Sequence, residues 1–221
     1  IMKNLQVTAR MATAIAVSDN WSPMLDGLLE WLWLDLRGLA SSHPTVNQIV
    51  QAPIPLRRDN INGTEFWACS SPFYQVLNEE KTRYRKRWDY QDKHCNWGKK
   101  KARVNTSEGT TKSYDLPLRI VETPRIDWFC VGEIELIQEL LSNCHNLGKK
   151  RSQGKGQVYQ WEINEIEEDW SLYRKGKLTR PFPIDMVSDP YGYDMMRWGW
   201  NPPVWLPQNQ KTCFMPNNIY A

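Results

Sequence analysis

Gly148-Lys149-Lys150-Arg151-Ser152-Gln153-Gly154-Lys155-Gly156 separates a helical pattern from a strand pattern, and the chain reads outward from it in both directions. Upstream, Ile134, Ile137 and Leu141 recur at three- and four-residue spacing, and Leu136 and Leu140 widen the stripe. That period predicts an amphipathic helix ending at the loop. Downstream, Tyr159, Trp161 and Ile163 alternate with Gln160 and Glu162, which predicts a strand with the three large residues on one face. The glycines permit tight or positive-φ turns and are expected to leave amides exposed, while four cations favour an anion at such a surface. A phosphodiester backbone is the first ligand these features imply, and an ordinary turn with solvated lysines is the alternative. The loop is not a P-loop, because it lacks the Gly-x-x-x-x-Gly-Lys-Ser/Thr order and leads into a strand.

A chain of 221 residues is long enough to bury a sizeable core. Its formal charge of +3 does not by itself establish nucleic-acid binding, so the placement of charge decides the matter. Twelve Trp and nine Tyr raise the question of stacking on bases or sugars, although large cores also consume aromatics. The five cysteines, Cys69, Cys95, Cys130, Cys144 and Cys213, are scattered without a Cys-x-x-Cys, which argues against a disulfide framework. No apolar run is long enough for a membrane helix and none reads as a secretory signal, so a cytoplasmic setting without a membrane is expected.

Toward the start, Leu5, Val7, Ala9 and Met11 alternate with polar residues and predict a strand. Ser22 is expected to cap a helix with Pro23 at its first position, an apolar face of Met24, Leu25, Leu28, Leu29, Leu32 and Leu36, and Gly38 at its end. Ile54 and Leu56 are expected to enter a short strand, turning through residues 59–63 into a return strand over residues 65–70. Residues 116–121 and 128–131 read as further strands.

Basic density rises from Lys81. Arg83, Arg85 and Arg87 flank Tyr84 and Trp88, and Lys99, Lys100, Lys101 and Arg103 follow Trp97. Cations that track phosphates beside rings that stack on bases suit a nucleic acid, with a solvated basic loop as the alternative. Beyond residue 168 the chain is rich in Trp and Pro, which predicts an irregular packed extension that wraps the core or docks on a neighbour. The expected class is α+β: a ferredoxin-like core over residues 2–80 and 116–167, an inserted basic lobe over 81–115 and an extension over 168–221.

With its opening strand, the segment Ser22-Pro23-Met24-Leu25-Asp26-Gly27-Leu28-Leu29 and the late glycine loop, the chain resembles the RAMP superfamily of CRISPR RNA-binding proteins. More narrowly it resembles the small handle-capping subunit of type IV effector complexes. The resemblance implies a noncatalytic protein that binds the 5-prime handle of CRISPR RNA at one end of a ribonucleoprotein. It implies RNA binding at Gly148, Lys149, Lys150, Arg151, Gly154, Lys155 and Gly156. Its implied partners are CRISPR RNA and the backbone and large subunits, with target double-stranded DNA as a further partner of the basic lobe. No metal or other cofactor is expected.

Two alternatives stand beside that reading. Some RAMP proteins cut RNA without a metal, and His145, just before the loop, and His94, in the basic stretch, are the candidate acid–base groups; His43 reads as a turn residue. A glycan-binding module is the other explanation of the tryptophans. Glu162, Glu165, Glu167, Glu168 and Asp169 do not show a spacing that establishes a metal site, and solvent, Arg174, Lys175 or a partner is expected to relieve their repulsion.

Overall fold

The structure, a computed structural model, describes residues 1–40, 52–87, 106–109, 112–187 and 192–217. Strand β1 (Lys3–Met11) lies at the centre of the molecule and buries Leu5, Val7, Ala9 and Met11 on one face. Then come β2 (Ile15–Val17), α1 (Leu25–Asp35), the hairpin β3 (Arg58–Ile61) and β4 (Thr64–Trp67), and the short β5 (Phe73–Tyr74). A long pair, β6 (Asn78–Lys86) and β7 (Tyr114–Glu122), precedes β8 (Arg125–Gly132), α2 (Ile134–Leu141) and β9 (Val158–Glu165).

Strands β5, β8, β1 and β9 form one four-stranded antiparallel sheet in that order. Each helix therefore connects two strands that have a third between them: α1 links β1 to β5 around β8, and α2 links β8 to β9 around β1. This double split-βαβ arrangement is the ferredoxin-like topology. Leu25, Leu29 and Leu32 of α1 and Ile137, Leu140 and Leu141 of α2 close over the sheet against Val7, Ile126 and Trp128. Deleting one of these side chains is worth roughly 2–5 kcal/mol.

Several local expectations are corrected. Ser22 does not cap α1: its hydroxyl donates to Asp19 Oδ2 at 3.1 Å, and the helix begins after Met24. Pro23 precedes the cap, and its carbonyl accepts the indole N–H of Trp128 at 2.9 Å. Leu36, expected on the buried face, lies at the helix end and is exposed. Ile54 and Leu56 are buried but enter no strand; Leu56 makes a single bridge to Gly132.

Tyr159 is also displaced. The β1–β9 register shifts between Arg10 and Met11, so that Ala9 faces Trp161 but Met11 faces Val158. One extra residue in β9 reverses the facing of the side chains. Val158 takes the buried position and Tyr159 is 64% exposed.

A second sheet, β2-β7-β6, leaves the core sideways. β6 and β7 pair from Asn78↔Glu122 to Lys86↔Tyr114, and every residue of β6 is exposed or half-buried. The extension is more regular than expected. After the pair β10 (Tyr173–Arg174) and β11 (Lys177–Leu178), β12 (Phe182–Pro183), β13 (Asp194–Gly199) and β14 (Gln210–Met215) form a three-stranded sheet ordered β12-β14-β13. Pro183 sits on its edge strand, where a missing N–H breaks no central ladder. Phe182, Trp200 and Phe214 build a second core there with Phe66 of β4.

Candidate nucleic-acid interface

The glycine loop is held by backbone bonds to β2 and to the turn that precedes it. Lys149 N donates to Ala16 O at 2.7 Å, Gly156 N to Ala14 O at 2.9 Å, and Leu147 N to Gly156 O at 2.8 Å. Gln153 and Gly154 donate to carbonyls within the loop, around a single 3₁₀ turn over Arg151–Gln153. The amides of Lys149, Gln153, Gly154 and Gly156 are thus engaged in loop closure, contrary to the expectation that the glycines leave amides exposed. The charge that the loop offers an anion is carried by its four cationic side chains.

Those glycines serve close approach. A Cβ at Gly148 would stand 2.5 Å from Ala16 O, and one at Gly156 would stand 1.9 Å from Leu147 O. Both residues have positive φ, as do Lys150 and Gly154. The loop consequently presents Lys149 and Arg151 exposed, and Lys150 and Lys155 half-buried.

Lys150 points toward the long hairpin. Its Nζ lies 2.9 Å from the centre of the Tyr84 ring, and Gln153 Nε2 donates to the Tyr84 hydroxyl at 3.4 Å. Tyr84 stacks in turn on Tyr114 across the strand pair, with ring centres 5.5 Å apart. The Tyr84 phenol is held below its usual range, first by its hydrogen bond with Tyr114 and then by the Lys150 charge. Two basic segments far apart in sequence therefore meet at one ring. A hollow of about 330 Å³ between them is lined by Leu116, Pro117, Leu118 and residues 148–151.

Strand alternation sends the hairpin arginines to the other face. Arg83 Nε and Arg85 Nε lie 2.9 and 3.2 Å from the two oxygens of Asp115, whose carboxyl they hold low, with the Arg83 bond the larger cause. Both arginines stay more than half exposed, and Arg87 is exposed beyond them. Trp88, Trp97, Lys99, Lys100, Lys101 and Arg103 lie outside the described residues, as do His43 and His94.

The sheet face opposite the helices is closed to a base at its centre. Phe129 is 1% exposed, with Trp170 edge-on at 5.1 Å and the Arg174 guanidinium 5.1 Å from its ring centre. Bases read on an open sheet need accessible rings. Among the described residues, loop and hairpin bring accessible basic side chains together at one rim.

His145 is exposed and lines a hollow of about 410 Å³ with Trp31, Arg151 and Ser152. Among the described residues no group of three or more His, Cys, Asp or Glu is disposed to hold a metal ion. Three members of the acidic run are ion-paired, with partners other than those expected: Glu162 with Arg10 at 3.0 Å, Glu165 with Lys3, and Asp169 with Arg57 at 2.8 Å. No helix among the described residues is long and apolar enough to cross a membrane.

Sequence reasoning missed Trp31 as a surface residue, because position 31 falls between the apolar positions of α1. It is 40% exposed and has the Arg151 guanidinium 5.2 Å from its ring centre. A tryptophan off the buried stripe of a predicted helix was the available signal, and Trp33 shares it. Most other described tryptophans are engaged internally: Trp128 and Trp200 are buried, and Trp161 packs on the core.

The family described as CRISPR type IV associated protein Csf3 matches residues 3–216, nearly the whole chain. No curated protein matches it.

Proposed function

The chain belongs to the CRISPR type IV associated Csf3 family, and from that premise we propose that it binds the 5-prime handle of CRISPR RNA and caps a type IV effector ribonucleoprotein without cutting RNA. The observation that carries this reading is the convergence of Lys150 and Tyr84, which joins the glycine loop and the basic hairpin into one rim. Lys149, Lys150, Arg151 and Lys155 hold phosphates there, with Gly148, Gly154 and Gly156 setting the backbone that aims them. Phosphate contacts of this kind fix register and orientation, while handle identity comes from bases presented at the rim.

Residues 81–115 act as an appended basic lobe that carries Arg83, Arg85 and Arg87 away from the core, toward guide, target duplex or a large subunit. Residues 168–221 close the second core and present the outer strand β13 to neighbouring subunits of the complex. CRISPR RNA and the backbone and large subunits are the partners of this arrangement.

Equilibrium titration with a repeat-derived handle and with a scrambled RNA of the same length, at one salt concentration, tests the reading. The handle is expected to bind at least tenfold more tightly. Equal affinities in the free protein and in the assembled complex would remove handle binding as its function. A second reading, repeat cleavage, is favoured by His145 sharing a hollow with Arg151. It predicts a discrete product from labelled repeat RNA without metal, lost in His145→Ala; the capping reading predicts intact RNA.

A further inference from the structure

A cleft of about 560 Å³ lies between the first turns of α1, the glycine loop and strand β13. Its volume falls within the roughly 300–1,000 Å³ of sites that enclose a small organic group. Leu28, Trp31, Trp198 and Val204 give it apolar walls, and Arg151 and Arg197 stand among them. Among the described residues no acidic side chain lines it. Flat aromatic surface beside guanidinium groups matches a nucleotide, whose base is apolar on its faces and whose phosphates are anionic.

Two further observations point the same way. Trp31 keeps 40% of its surface open on a helix whose other face is packed into the core, so its ring is available for stacking. Finally, Arg151 lines this cleft, the hollow beside Tyr84 and the hollow beside His145. A strand held at the glycine loop therefore passes the mouth of the cleft.

We infer that the cleft takes one nucleotide splayed out of the bound RNA, with its base stacked on Trp31 between the apolar walls, and its phosphates at Arg151 and Arg197. The inference rests on the RNA-binding reading above and adds a single-base site formed jointly by the core helix and the C-terminal sheet. Neither part is complete without the other, because α1 supplies one aromatic wall and β13 the other. Exposed Arg197 is a neutralising contact that the sequence placed in the tail, with nothing to connect it to the loop.

The test is an abasic scan: handle RNAs that each lack one base in turn, titrated against the full chain. Loss of one particular base is expected to weaken wild-type binding about tenfold, as removal of a stacked base does. In Trp31→Ala the intact handle should bind about tenfold more weakly and the same abasic position should cost nothing further, while Trp31→Phe restores the position dependence. Uniform tolerance of base loss by wild type that still binds the handle would overturn the cleft site alone. Absence of RNA binding in both the free protein and the assembled complex would overturn the site together with the reading it rests on. Trp31→Ala that keeps the abasic profile but releases a neighbouring subunit would assign the cleft to a protein contact and likewise overturn it. The wild-type scan uses no variant, so it decides the matter even if Trp31→Ala folds poorly.

Discussion

Arg180 Nη2 lies 3.3 Å from Asp26 Oδ2, with both side chains closed to solvent, and this pair fastens the C-terminal extension to the first turn of α1. The same guanidinium donates to the carbonyls of Trp67, Cys69 and Trp200. One side chain thus links the core helix, the segment after β4 and the tail. The cleft described above is bounded by two of these three parts.

Breaking that pair from one side should be severe. Arg180→Met or Asp26→Leu is expected to cost roughly 3–5 kcal/mol, because the remaining polar group stays buried without its partner. The double variant Asp26→Leu/Arg180→Met should cost clearly less than the sum of the two single effects. Urea denaturation of the four proteins checks this, and simple additivity would show that the two residues act independently.

The loop glycines should separate by position. An Ala at Gly154 meets open space and carries only the left-handed backbone penalty, about 1–2 kcal/mol. An Ala at Gly156 collides with Leu147 O and displaces the loop from β9, so a loss of at least ~3 kcal/mol is expected. Thermal unfolding of both variants would contradict the close-approach argument if they lost equal stability.

Charge at the loop should appear in the salt dependence of RNA binding. Replacing Lys149, Lys150, Arg151 and Lys155 together by Gln is expected to make the slope of log K against log salt shallower by about 3, if each cation meets one phosphate of a single strand. Titrations at several salt concentrations measure it. An unchanged slope in folded protein would place the phosphates elsewhere.

The hairpin has a separable role. Alanine at Arg83, Arg85, Arg87, Lys99, Lys100 and Lys101 in the assembled complex is expected to weaken target-duplex binding at least tenfold while guide occupancy stays at the wild-type level. Quantifying bound guide and duplex separately checks it; parallel loss of both would put the hairpin on the guide.

A pH effect follows from Glu30. Burial first, and the Asp26 charge second, raise its carboxyl to about 7. The folded state therefore binds this proton more tightly than the unfolded chain, and stability falls as pH rises from the ordinary carboxylate range through about 7. Glu30→Gln should accordingly raise the melting temperature at pH 8 and change it little at pH 4.5. A larger gain at the acidic pH would reverse the assigned sign.

Local periodicity was enough to locate β1, α1, α2 and β9, and to recognise the turn at Asn62 and Gly63, because each depends on which side chains recur on one face or which backbone angles a residue tolerates. Leu5, Val7 and Ala9 announce a buried face whatever packs against them. The order of those elements sufficed for a ferredoxin-like frame, and the glycines at 148 and 156 were visible as positions that permit a tight or positive-φ turn. Their purpose was not visible: they admit the carbonyls of Ala16 and Leu147, and the amides around them close the loop. The approach of Lys150 to Tyr84, the bulge that turns Tyr159 outward, and the burial of Arg180 against Asp26 depend on strand register and on segments far apart in the chain. Periodicity records that a residue is buried or exposed but carries no information about its partner. Partners are chosen by the packing of whole elements, which is why the rim and the cleft emerge only once the sheet, hairpin and tail are assembled.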